Sequence, residues 1–205
     1  MKIQNKKFIY IISPTKISER SFYKSLHNIL KSKKVSYFQL RLKKENQYKK
    51  IVIARKVLKI CKKYNVKFLI NDDPYLALKV GADGCHLGQK DIHIKKAREI
   101  LGKKIIGVTC HNSIRLSKRA EIDQANYIAI GAFNKSFTKK VKYKATINIL
   151  NKIKKFIKIP IVAIGGINES NYKKLLLNKA DFLAISGYIW NNKKYKPHQA
   201  IKNLK

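Results

Sequence analysis

The chain has 205 residues, 45% of them hydrophobic, which is enough for one sizeable core and too short for two comfortable domains. Its 47 Lys and Arg against 11 Asp and Glu give a formal charge of +36, yet the lysines are spread almost evenly instead of gathering into a tail or stripe. A dedicated nucleic-acid surface is therefore not expected, no run approaches the roughly 20 apolar residues of a membrane span, and three scattered cysteines (Cys61, Cys85, Cys110) argue against a disulfide framework.

In chain order, residues 1–12 pair lysines with a short apolar stretch that Ser13-Pro14 ends. That is too short for a secretory signal, and it reads as the first strand of a cytoplasmic protein. Further apolar runs fall at 37–42, 67–70, 84–87, 105–108, 127–130, 159–164 and 182–185. Between them lie segments with apolar residues three and four apart, such as 48–63 and 145–156. Strands alternating with helices imply parallel pairing through right-handed crossovers. Eight such units predict an α/β fold, a single-domain (β/α)8 TIM barrel over 1–205. An open doubly wound sheet is the alternative, and the lack of Gly-x-Gly-x-x-Gly after the first strand counts against it. No internal repeat is visible.

In such barrels, chemistry sits at the C-terminal ends of the strands. After the second strand, alternation puts Gln39, Arg41 and Lys43 on one face, turned toward the mouth. Arg offers a planar fork to phosphate oxygens and Lys a point charge. A solvated basic strand face is the plainer alternative. After the third strand come Asn71 and Asp72, and beyond the fourth Gln89 and Asp91. A lone Asp there is most often a helix cap or turn residue, which suits Asp73 before Pro74 and Asp83 in the turn 81–84. Asp72 and Asp91, past two successive strands of so basic a chain, point instead to a shared divalent cation such as Mg²⁺. That ion takes one or two protein carboxylates and completes its shell with water and substrate phosphate.

After the fifth strand stand Thr109, able to bond a phosphate oxygen or cap the next helix, and His111, for proton transfer or a structural role. His27, His86, His93 and His198 show no metal-ligand spacing. The loop after the sixth strand carries Ser136, Phe137, Thr138 and Lys139, a set suited to an anion covered during reaction. After the seventh, Gly165-Gly166 would let backbone amides approach a phosphate ahead of a helix N-terminus. The eighth ends in Ile185-Ser186-Gly187, and loops seven and eight form the usual phosphate site of these barrels. Two anion sites in one mouth follow: a diphosphate site with a metal, Arg41, Lys43 and Lys139, and a monophosphate site around Gly166 and Ser186.

These motifs, in this order, resemble the thiamine phosphate synthase family across nearly the whole chain. They are Gln39-x-Arg41-x-Lys43, Asn71-Asp72, Gly84-x-His86-Leu87-Gly88-Gln89-x-Asp91, Gly107-Val108-Thr109, Thr138-Lys139 and Ala163-Ile164-Gly165-Gly166-Ile167. The resemblance implies an Mg²⁺-dependent transferase that joins hydroxymethylpyrimidine diphosphate to a thiazole phosphate and releases pyrophosphate. It implies Asp72 and Asp91 as Mg²⁺ ligands, and Gln39, Arg41, Lys43, Asn71, Thr109 and Lys139 around the pyrimidine substrate. Arg41, Lys43, Thr109 and Lys139 are the catalytic set among these. Ser136, Phe137, Thr138, Gly166, Ile185 and Ser186 would line the thiazole phosphate site, with Gly187 taking a share. Expected partners are thus small molecules, with no membrane or nucleic acid, and a homo-oligomer is left open.

Departures lie mainly in the loop after strand six, where Ala132 and Lys135 replace two prolines of the family pattern and Ser136 replaces a Thr. Thr109 stands where Ser is more usual. Two other readings remain at this point: a thiazole tautomerase, for which His111 is the nearest acid/base candidate, and a basic nucleic-acid-binding protein.

Overall fold

The computed structural model describes residues 7–135 and 143–204. Eight strands alternate with helices: β1 (Ile9–Ile12), α1 (Glu19–Leu30), β2 (Val35–Leu40), α2 (Gln47–Lys63), β3 (Lys67–Asn71), α3 (Pro74–Val80), β4 (Gly84–Leu87) and α4 (Ile94–Leu101) form the first half. The second half is β5 (Ile105–His111), α5 (Ile114–Ile122), β6 (Tyr127–Gly131), α6 (Asn148–Lys154), β7 (Ile161–Ile164), α7 (Tyr172–Leu177), β8 (Phe182–Ile185), α8 (Gly187–Trp190) and α9 (Pro197–Lys202). All neighbouring strands run parallel, and β8 returns to pair with β1, so the sheet closes into a (β/α)8 barrel. Closure rules out the open doubly wound alternative.

Each strand is apolar on both faces because each face meets a different core. Ile9, Ile11, Phe38, Leu40, Phe68 and Ile70 point outward and are sealed under the helices. Tyr10, Leu69, Tyr127, Ala129, Val162 and Ala184 point inward and fill the barrel. The loops leaving the strands start their helices with side-chain caps: Asn46 accepts from Lys49 N, Asp73 from Leu76 N and Ser113 from Leu116 N. Asp73 is thus the cap expected of it.

At the end where strands begin, one junction is built three times. Asp83, Asn126 and Asp181 immediately precede β4, β6 and β8. Their side chains accept from the N–H groups of Phe68, Ile106 and Ile161 at 2.9, 2.8 and 2.9 Å. Their own N–H groups donate back to the carbonyls of the same residues at 2.9, 2.7 and 2.8 Å. An alanine precedes each, itself preceded by a left-handed residue, Gly81, Gln124 or Lys179 (φ 73°, 65° and 73°). This is an internal repeat that the sequence reading missed, since it shares little beyond Ala followed by Asp or Asn.

Several boundaries move relative to the sequence expectation. β2 stops at Leu40, β5 runs on to His111, β7 starts at Ile161, and α6 is confined to Asn148–Lys154. The first of these matters for the site. Strand alternation cannot place Arg41 and Lys43, because both lie beyond the strand.

Candidate active site

The acidic pair is positioned by two backbone devices at the barrel mouth. Asp72 follows the last residue of β3 with a left-handed φ of 66°, and its N–H bonds to the carbonyl of His86 on β4 at 2.8 Å. After β4 the chain turns tightly: Asp91 N donates to Gly88 O at 3.3 Å, and Gly88 N donates to Asp91 Oδ2 at 2.7 Å. The two carboxyl groups are near enough to shift one another's titration, and Lys43 Nζ stands 2.7 Å from Asp72 Oδ2. A cavity of about 210 Å³ opens beside them, lined by Lys43, Lys50, Asn71 and Asp72 together with Leu40, Leu42 and Ile70.

Electrostatics separates the two acids. Burial penalises the Asp72 carboxylate, but the Lys43 ammonium and the neighbouring Asp91 carboxyl outweigh it, so its pKa lies below the ordinary value. Burial also raises Asp91, and the Asp72 carboxylate raises it further against the pull of the Gly88 N–H. A crowded acid pair of this kind is relieved by a cation, so the donor set fits a hard divalent ion. Among the described residues no group of three or more His, Cys, Asp or Glu gathers. Two carboxylates are what an ion sharing its shell with water and phosphate asks of a protein.

Gln39 is deeper than expected. Its residue is 2% exposed, and its Nε2 donates to Tyr10 Oη at 3.0 Å, inside the barrel. Tyr10 Oη lies 2.8 Å from Tyr127 Oη, which lies 2.8 Å from His86 Nδ1; His86 Nε2 lies 2.8 Å from Thr109 Oγ1. Burial pushes the His86 imidazole down to about 4, against the raising influence of Asp72. The same burial raises both tyrosines. Thr109 does not cap α5, a role Ser113 fills, and its carbonyl accepts from Gln89 Nε2 at 2.6 Å. Arg41 is half-buried, and its N–H donates to Ser13 Oγ at 2.9 Å, which ties the ends of β1 and β2 together. His111 has φ 54° and stacks on Tyr143 at 4.2 Å between ring centroids.

Across the mouth, Gly165 and Gly166 both take positive φ, 105° and 60°. A Cβ on Gly165 would collide with Ala132, and one on Gly166 with the carbonyl of Lys135 and with Asn134. Phe133 N and Asn134 N donate to the carbonyls of Ile164 and Gly165 at 3.2 and 3.1 Å. The glycine pair therefore lets the segment after β6 cross the end of β7. The expected helix N-terminus is not adjacent, because α7 begins only at Tyr172. Ser186 does lead directly into α8, and its Oγ donates to Ser13 O at 3.3 Å. Ile185 points outward into the helix-facing core, so only its backbone is open to a ligand. Ser136, Phe137, Thr138 and Lys139 lie outside the described residues.

The structure thus brings Lys43, Asn71, Asp72 and Asp91 together, with Thr109 linked to them through His86. Sequence reasoning missed Tyr10, His86 and Tyr127. The signal was present: all three occupy the inward parity of their strands, Tyr10 paired with Tyr37 and both His86 and Tyr127 with Gly107, two residues before Gln39 and Thr109 on the same strands.

A closed parallel barrel with charged side chains gathered where its strands end has the architecture of (β/α)8 enzymes. Comparison with known proteins narrows the class. The family model described as thiamine monophosphate synthase matches residues 9–189. A thiamine-phosphate synthase of Pelagibacter ubique (strain HTCC1062) is 65% identical over 201 residues, covering 98% of this chain and 97% of its own. One from Nitrosomonas eutropha is 41% identical over 153 residues, covering 74% and 72% of the two chains. Among solved structures, thiamine phosphate pyrophosphorylase from Pyrococcus furiosus superposes with a TM-score of 0.85 at 27% identity, covering 99% of this chain and 96% of that one. The chain belongs to the thiamine monophosphate synthase family, and its function is the formation of thiamine phosphate.

Proposed function

We propose that the mouth binds hydroxymethylpyrimidine diphosphate and a thiazole phosphate (hydroxyethylthiazole phosphate, or its carboxylated form, which also loses CO2) together, and releases pyrophosphate as thiamine phosphate forms. The observation that carries this reading is the contact of Lys43, Asp72 and Asp91 beside Asn71. Asp72 and Asp91 would hold Mg²⁺, which supplies charge neutralisation for the diphosphate. Arg41, Lys43 and Lys139 add fixed positive charge where negative charge grows on the leaving group. Gln39, Asn71 and Thr109 orient the pyrimidine. Gly166, Ser186 and the Ile185 backbone, with Ser136, Phe137 and Thr138, take the thiazole phosphate. Departure of pyrophosphate leaves a carbocation that the pyrimidine ring stabilises, and the thiazole nitrogen attacks it.

No protein group forms a covalent bond in this scheme. Rate comes from holding two substrates in line and from electrostatics set up before reaction. The cysteines fit this division of labour: Cys61, Cys85 and Cys110 are buried, free, and raised in pKa by burial, as suits inert core residues of the cytoplasmic protein we infer. The 65% identity to a thiamine-phosphate synthase favours this reading over the tautomerase one.

The test is thiamine phosphate formation from both substrates, with Mg²⁺ and with EDTA. Product that vanishes with chelator and returns with added Mg²⁺ is the expected result. Undiminished product in EDTA would overturn the metal assignment of Asp72 and Asp91.

A further inference from the structure

The barrel interior contains one unbroken chain of hydrogen bonds, from Gln39 through Tyr10, Tyr127 and His86 to Thr109. Four of its members are buried, and the fifth, Thr109, is half-buried where β5 reaches the mouth. The packing around it has no slack. A Cβ on Gly107 would stand inside the Tyr127 ring, so the glycine exists to admit that tyrosine. Such a polar assembly in a barrel core is costly unless every proton has an acceptor.

Counting protons gives the chain a direction. The amide nitrogen of Gln39 only donates, so Tyr10 accepts there and sends its single proton to Tyr127. Tyr127 then sends its own proton to His86 Nδ1. Nδ1 is the acceptor, so Nε2 carries the proton of a neutral ring and donates to Thr109 Oγ1. In the opposite direction, Tyr10 would receive from both Gln39 and Tyr127, and its own proton would have no acceptor in the chain. That arrangement requires Gln39 to turn its amide around.

We propose that His86 is a positioning residue: held as the Nε2–H tautomer, it occupies a lone pair of Thr109 and turns the Thr109 hydroxyl proton outward. Thr109 is then a committed donor, selecting an electron-rich acceptor on the pyrimidine substrate. Without His86, the hydroxyl rotates freely between donating and accepting. This rests on Thr109 as a substrate-binding residue, as read above; the direction of the chain does not.

Two measurements separate those parts. In ¹⁵N-labelled protein without substrate, the His86 ring signals, assigned by their loss in His86→Gln, are expected to show Nε2 protonated and Nδ1 bare. A proton on Nδ1 overturns the proposal whatever the protein catalyses. In steady-state kinetics, Thr109→Val and His86→Phe are each expected to raise KM for the pyrimidine diphosphate by about ten- to a hundred-fold, and the double variant no further. His86→Gln, whose amide nitrogen reaches the place of Nε2, restores most of the loss. Independent, multiplying losses, or a glutamine variant as impaired as the phenylalanine one, overturn it. An inactive wild-type enzyme would sink the functional reading alone, since the ring signals still decide the direction of the chain.

Discussion

The two ends of the barrel put the same residue types to different uses. Where strands begin, Asp83, Asn126 and Asp181 each exchange a pair of hydrogen bonds with one backbone residue of the strand before. Arg98 adds a clamp there, donating to the carbonyls of Gly102, Lys104 and Gln124 and to Asn126 Oδ1 at 2.6, 2.6, 2.8 and 2.8 Å. Where strands end, Asp91 makes one such exchange with Gly88, but it also lies beside Asp72, whose carboxylate has Lys43 Nζ 2.7 Å away. The first arrangement satisfies backbone groups and lowers the energy of the fold. The second crowds like charges and raises it, which is tolerable only if a ligand repays it. Stability and function are thus sorted to opposite ends of one sheet.

Substitution should expose that sorting. The largest expected effect is at the mouth: Asp72→Asn and Asp91→Asn each lower kcat by about 10²–10³-fold, the range seen when a fixed electrostatic contact to developing charge is lost. Their far-ultraviolet spectra stay those of the parent and their unfolding stays cooperative, with only small shifts in midpoint. His111→Ala, which leaves the acid pair untouched, falls far less. An inactive His111→Ala beside an active Asp91→Asn would reverse the assignment of roles.

At the other end, Asp181→Ala removes the acceptor for Ile161 N and the partner of Lys154, 2.9 Å away in both cases. The expected cost is about 1–3 kcal/mol of stability, read from urea midpoints, because a strand N–H is left unmet. Turnover per folded molecule is unchanged. A sharper version uses Asp83→Asn. Asn126 shows that an amide oxygen does this work, so only the exposed Lys67 pair at 3.2 Å is lost. That costs under about 1 kcal/mol. The same Asp-to-Asn change is therefore nearly silent below and disabling above. Equal effects at Asp83 and Asp72 would dissolve the comparison.

How much of this was legible in the sequence follows the same division. The eight strands were, because each is a run of apolar residues between helical periods, and closure followed from their number. The acid pair was, since carboxylates are scarce in this chain and two stood past successive strands. The buried relay was not. Tyr10, His86 and Tyr127 sit inside apolar runs, and a strand buried on both faces has no polar alternation to mark its inward side. Only closing the barrel brings β1, β4 and β6 residues into one line between Gln39 and Thr109. Gly165-Gly166 was legible as a special turn but not in its purpose, since the chain it admits, 132–135, is distant in sequence.

The smallest effect is also the one with opposite signs for the two properties. Asp91 has a raised pKa in the fold, so the native state binds its proton more tightly than the unfolded chain does. As pH rises through that titration, the fold loses stability that a protonated Asp91 would keep. Asp91→Asn removes this loss. In EDTA at neutral pH the variant should melt slightly above the parent, and the two curves should converge as pH falls below the ordinary carboxylate range, where Asp91 is protonated in the native and unfolded parent alike. Asp72 acts in the other sense: its lowered pKa contributes stability above the ordinary carboxylate range, lost as pH falls through its own titration. That contribution is common to both proteins apart from the part Asp91 supplies. Adding Mg²⁺ should then raise the melting temperature of the parent and leave the variant nearly where it was, since a cation that binds only the intact pair stabilises only that fold. A variant less stable than the parent in EDTA would mean that Asp91 serves the fold as Asp83 and Asp181 do, and that the mouth is not a strained site awaiting a cation.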